Sequence, residues 1–130
     1  GAEGVLVCND ARMNEVYWAG FRRGAAGLAE AVSVERVGAA DSVALPGALQ
    51  GLAVIGAGRG FAAYPQLVRL PLAPGSPVAA LRAVHPDLLP SAAAIARLAV
   101  PEWRAGRSVA AHDALPIYVR DDVARPAAAP

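Results

Sequence analysis

The stretch Val5 to Phe21, VLVCNDARMNEVYWAGF, decides how the chain folds. Two apolar runs of strand length, Val5 to Cys8 and Val16 to Arg22, flank the polar bend DARMN, and both are rich in Val, Tyr, Trp and Phe. That is the pattern of a β-hairpin. A third strand fits Leu28 to Val37. There Leu28, Glu30, Val32, Val34 and Arg36 share one face, and Ala29, Ala31, Ser33, Glu35 and Val37 the other. Gly24 and Gly27 supply the second turn of an antiparallel meander. Within the bend, Asp10 either bonds the turn backbone or faces a ligand. Arg12 and Glu15 are placed to pair across it. Tyr17 and Trp18 must point to opposite faces, one into the core and the other over an edge or a partner.

Downstream the character changes. ADSVALPGAL predicts a short helix with Asp41 as N-cap and Pro46 limiting its length. GLAVIGAG, closed by glycines, predicts a buried strand over Leu52 to Ile55. Leu88 to Arg107 predicts a helix capped by Ser91, with Ile95, Leu98 and Ala99 at helical spacing. Its Ser91 to Gly106 part is expected to pack on a sheet face, kinked or restarted at Pro101. LPIYVR, Leu115 to Arg120, predicts a last edge strand, because Pro116 cannot donate to a ladder. Tyr118 is expected to bury its ring there, and Arg120 to reach a carboxylate. ARPAAAP predicts a disordered tail. The order β-β-β-α-β-α with mixed pairing is α/β in layers.

Composition bounds what such a domain can do. With 130 residues the chain is one domain with a real core. Hydrophobic residues reach 55% but aromatics only 5%, so the core is built from Ala, Val and Leu around a few rings. The net charge is +1 and all twelve basic residues are arginine. They are interspersed with acids, so no phosphate-gripping patch forms and this chain alone is not expected to bind nucleic acid. Without lysine there is neither a P-loop lysine nor a Schiff-base lysine. The single cysteine, Cys8, reads as a buried thiol suited to a reducing, cytoplasmic compartment. Arg82, Asp87 and Arg97 interrupt the longest apolar runs, so no membrane span is expected. The start GAEG, without methionine, reads as a piece of something longer.

The chemistry-bearing motifs are sparse. GAGRGF, Gly56 to Phe61, fails the dinucleotide pattern because Phe61 stands at its last glycine and Pro65 falls where the phosphate helix would run. It remains a glycine turn after a strand, or a loop lining a cleft through Gly56 and Gly58. His85 and His112 have no companion ligands at zinc spacing, so no metal is expected. None of Ser33, Ser42, Ser76, Ser91 or Ser108 sits in a nucleophile elbow.

Taken in order along the chain, the motifs resemble the C-terminal lobe of the TsaB family. This is the dimerisation subunit of the bacterial machinery that makes threonylcarbamoyladenosine in tRNA. The family's Asp-Ala-Arg, two residues, Glu-Val-Tyr falls on Asp10, Ala11, Arg12, Glu15, Val16 and Tyr17. Its Pro-x-Tyr-x-Arg falls on Pro116, Tyr118 and Arg120. Its glycine loop falls on Gly56, Gly58, Tyr64 and Pro65, and LPSAAAIARLA resembles its last long helix. The resemblance implies one lobe, residues 1–125, of the actin-like, ribonuclease H-like ATPase superfold with a tail over 126–130 and the N-terminal lobe missing. It implies a vestigial phosphate loop at Asp10, Ala11 and Arg12, where Arg12 stands in place of glycine, and no cofactor. Glu15, Tyr17, Trp18, Tyr118 and Arg120 become structural or partner-interface residues. The implied role is non-catalytic, with a TsaD-type catalytic subunit and a TsaE-type ATPase as partners, or a homodimer. A lobe of an ATPase or glycopeptidase-like enzyme, or a freestanding ligand-binding domain, is the alternative. The isolated lobe is expected to fold, bind its partner weakly and expose apolar surface.

Overall fold

In a computed structural model the chain is described over residues 1–71 and 78–120. The expected hairpin is its spine: β1 (Gly4–Asp10) and β2 (Glu15–Arg23) pair antiparallel from Gly4 opposite Arg22 to Asp10 opposite Val16. The glycine-closed run also forms a strand, at Val54–Ala57 rather than Leu52 to Ile55. This strand, β5, lies parallel to β1, with Leu6 opposite Gly56. One mixed sheet results, which is the expected α/β class.

The third strand departs from expectation. It divides into β3 (Ala29–Ala31) and β4 (Arg36–Ala39), both antiparallel to β2. Only Ala19 and Gly20 lie between the paired residues Trp18 and Phe21, whereas Val32 to Glu35 lie between their partners Ala31 and Arg36. The two surplus residues bulge out. The Ser33 hydroxyl oxygen then accepts the Gly20 N–H at 2.8 Å, and the Val32 N–H donates to Gly20 O at 2.9 Å. Because the surplus is even, side chains beyond the bulge return to their original faces.

One face of the sheet carries the core. Leu6 and Cys8 of β1, Val16 of β2 and Val54 of β5 meet Val43, Leu45, Leu49, Phe61 and Leu67, all buried. The segment that supplies Val43, Leu45 and Leu49 is not the expected α-helix. Asp41 does not cap it; two 3-10 turns, Ala40–Ser42 and Gly47–Leu49, are separated by Pro46. Pro46 lacks the N–H that a continuous helix would use. A four-residue helix α1 (Gly60–Ala63) and a 3-10 turn at Pro65–Val68 complete this layer. Each fully buried Leu or Val contributes about 1.5–3 kcal/mol. β6 (Arg69–Pro71) and β7 (Val78–Ala80) form a separate antiparallel pair, and β8 (Val84–His85) extends the main sheet parallel to β5.

The long helix forms but does not pack. α2 (Ala92–Arg104) is capped by Ser91, whose hydroxyl accepts the Ala94 N–H at 3.2 Å. It runs through Pro101 as one element instead of restarting there, and Arg107 closes its end on Glu102 through two bonds of 2.6 and 2.7 Å. None of its residues is buried, contrary to the expected seat on the sheet. Leu115 to Tyr118 form no strand, and Tyr118 is 77% exposed rather than buried. The tail at 126–130 lies outside the described residues, as do residues 121–125.

Candidate functional site

Parallel pairing brings the ends of β1 and β5 to the same edge of the sheet, the position where α/β sheets hold ligands. The hairpin tip stands there beside the glycine loop. Arg12, Met13 and Asn14 all have left-handed backbones, with φ of 62°, 54° and 61°. Such a run costs on the order of 1–2 kcal/mol per non-glycine residue. Three hydrogen bonds hold it closed. Asp10 Oδ1 accepts the Arg12 N–H at 3.0 Å, and the Ala11 and Glu15 N–H groups donate to Glu15 O and Arg12 O, each at 2.9 Å. Arg12 therefore keeps the conformation that glycine would favour, although its side chain is a large cation.

The Arg12 guanidinium lies 3.5 Å from Asp10 and is largely exposed, so that ion pair contributes little. The expected Arg12 to Glu15 pairing is absent, since Glu15 is engaged by Arg120 from 105 residues away. Arg120 is only 12% exposed, sits 5.6 Å from the Tyr17 ring centroid, and places Nη1 3.7 Å from Met13 Sδ. The end of the chain is thereby clamped to the tip by an ion pair, a cation–π contact and a thioether. Arg120 does reach a carboxylate, as its motif suggested. Tyr17 and Trp18 divide as the strand period requires: Tyr17 lies under Arg120, while Trp18 packs against the core cluster and lies near the bare Gly38.

Gly56 and Gly58 face their own chain. A Cβ on Gly56 would come within 2.7 Å of the Phe61 ring, and one on Gly58, whose φ is +108°, would press on the Cys8 carbonyl. Gly60, which the motif test passed over, is as tight, with a Cβ 2.9 Å from Cys8 C and O. Glycine here lets the loop lie directly on β1. Cys8 itself is fully buried, and burial pushes its thiol pKa up to about 12. Met13 and Ser33 were also missed, because an isolated thioether and a lone strand serine carry no spacing signal.

Among the described residues no group of three or more His, Cys, Asp or Glu side chains could hold a metal ion. No helix there is long and apolar enough to cross a membrane. The tip thus joins Asp10, Ala11, Arg12, Glu15, Tyr17 and Arg120, with the glycine loop at the same sheet end and Trp18 on the opposite face. Tyr118 stands apart from it in solvent.

No protein-family model matches the chain, and no curated protein does. Solved structures do. An uncharacterised Pseudomonas aeruginosa protein described as similar to the peptidase YeaZ matches with 33% identity and a TM-score of 0.75, over 92% of this chain and 50% of its own length. YeaZ from Pseudomonas aeruginosa matches with 33% identity and a TM-score of 0.74, over 91% of this chain and 50% of its own. The chain therefore spans half the length of the structures it resembles and has the fold of one lobe of a YeaZ-type, that is TsaB-type, protein.

Proposed function

We propose that this chain, one lobe of a TsaB-type protein, is the C-terminal half of a non-catalytic subunit of the tRNA threonylcarbamoyladenosine machinery. It pairs with and supports a TsaD-type transferase alongside a TsaE-type ATPase, in the cytoplasm. The observation that carries this reading is the 33% identity to YeaZ across nine tenths of the chain in the same fold. The state of the tip supports the non-catalytic part. The Asp10 carboxylate is taken up by the Arg12 backbone and guanidinium, and Gly58 is pressed against β1, which supports reading the tip as the vestigial phosphate loop of an ancestral ATPase lobe.

The test uses the two-lobe protein with its transferase and ATPase partners, measuring threonylcarbamoyladenosine formed in tRNA. Omitting the two-lobe protein should abolish product, whereas Asp10→Asn should leave the rate within about twofold, since Asp10 meets no substrate. Loss of product with Asp10→Asn at unchanged stability would overturn the non-catalytic assignment. The description of one similar structure as peptidase-like favours a second reading, a glycopeptidase-type lobe. Glycopeptide cleavage by the purified two-lobe protein alone would establish that reading instead.

A further inference from the structure

The hairpin tip holds a sulfur that the proposed function does not use. Met13 is the chain's single methionine and Cys8 its single cysteine. Cys8 is sealed in the core at 0% exposure, whereas Met13 stands on the bend at 73%. An oxidant in solution therefore meets one sulfur and not the other. Met13 is also held in place. Its backbone sits at φ 54° between Arg12 and Asn14, and the Arg12 N–H bond to Asp10 and the Glu15 N–H bond to Arg12 O close the bend on either side of it.

The group that faces this thioether is a charged donor. Arg120 is only 12% exposed; its Nη2 bonds Glu15 Oε2 and its guanidinium lies over the Tyr17 ring. Its Nη1 is directed at Met13 Sδ from 3.7 Å. A thioether is a weak acceptor, so of the three contacts between Arg120 and the tip this is the weakest. Oxidation changes that contact most. A sulfoxide carries a polar oxygen one bond out from the sulfur, and on the side of Nη1 it closes the 3.7 Å gap to the about 2.7–2.9 Å of a charge-assisted hydrogen bond. Oxidising a buried methionine disrupts its packing, but Met13 is already in solvent, so the new oxygen displaces no core contact.

We propose that Met13 is a reversible oxidation site for hydroperoxides, and that its sulfoxide oxygen bonds Arg120 and locks the end of the chain's arm onto the hairpin tip. In the step, a sulfur lone pair forms the S–O bond as the peroxide O–O bond breaks. The departing oxygen takes the proton of the transferred hydroxyl and leaves as water, or as an alcohol from an alkyl hydroperoxide. The thioether gives up two electrons and the peroxide gains them. A methionine sulfoxide reductase reverses the change, and the exposed bend gives it access. The site rests on the tip's own contacts and is independent of the tRNA-modification reading.

The experiment treats the 130-residue chain with hydrogen peroxide and locates the added oxygen by peptide mass mapping. Amide exchange is followed at Ala11 and Glu15, whose N–H groups are bonded within the tip. One oxygen on Met13 is expected, with exchange at both amides slowed about fivefold, the gain from exchanging a weak acceptor for one bonded to a charged donor. Methionine sulfoxide reductase should restore the original rates. Met13→Gln, whose amide oxygen stands in for the sulfoxide, should exchange slowly without peroxide. In Arg120→Ala, Met13 should still take up oxygen, but the slowing should vanish. Three results would overturn the proposal: oxygen placed elsewhere while Met13 stays reduced, unchanged or faster exchange in the oxidised parent, or equal slowing in Arg120→Ala.

Discussion

The first seventy residues and the arm from Leu88 to Tyr118 are similarly apolar, yet they have opposite fates. Around Cys8 every second side chain of β1 is sealed, with Leu6 and Cys8 at 0% exposure. In the arm Leu88, Leu89, Ile95, Leu98, Val100, Trp103, Val109, Leu115, Ile117 and Tyr118 are all exposed. Apolar content sets how much surface a segment wants to bury. Whether burial happens depends on a facing surface of the right shape, which β1 obtains from the 3-10 turns and Phe61.

The largest expected effect tests that contrast directly. Leu49→Ala should lose about 2–5 kcal/mol in urea denaturation, because Leu49 is fully enclosed and its removal leaves a cavity. Leu98→Ala should stay within about 0.5 kcal/mol, because Leu98 is exposed. Equal losses would mean that α2 belongs to the body's core.

The next effect depends on pH. The folded Cys8 thiol keeps its proton up to about 12, whereas in the unfolded chain it ionises from near 9. A raised pKa gives stability that is whole below the unfolded value and drains as pH climbs toward the folded one. Stability should therefore fall by about 1.4 kcal/mol per pH unit above roughly pH 9. Cys8→Ala, though weaker overall, should lack this part of the slope in denaturation series from pH 8 to 11. An unchanged slope would show that the thiol is not sealed.

The clamp between the two regions comes third. Arg120→Ala and Glu15→Gln, combined in a double-mutant cycle, should couple by about 1 kcal/mol, since Arg120 is nearly buried while Glu15 is partly open. Amide exchange at Met13 and Asn14 should speed up in both single variants. Additive effects would mean that the arm is tied down elsewhere.

The smallest effect has the opposite sign. Arg12→Gly should stabilise the chain by about 0.5–1 kcal/mol in thermal denaturation, because glycine takes the left-handed backbone without a Cβ penalty. A destabilised variant would show that the guanidinium's contact with Asp10 outweighs the strain.

Much of this was legible from local pattern. Alternation in VLVCND and EVYWAGF fixed the hairpin and put Tyr17 and Trp18 on opposite faces. Glycines closed β5 where a parallel strand needed close approach, and Ser91 marked the start of α2. These are effects of one or two neighbours in sequence, and the period of 2 or 3.6 reports them whatever the rest of the chain does. Other features depended on partners far away along the chain. The third strand split because Ser33 could replace a backbone partner for Gly20, and the two turns around Pro46 took their conformation from the sheet face they cover. Arg120 reached Glu15, 105 residues away, and α2 kept its apolar stripe in the open. Each of these is settled by which surfaces meet in space and which do not, a long-range outcome that alternation and capping, being local, leave undetermined.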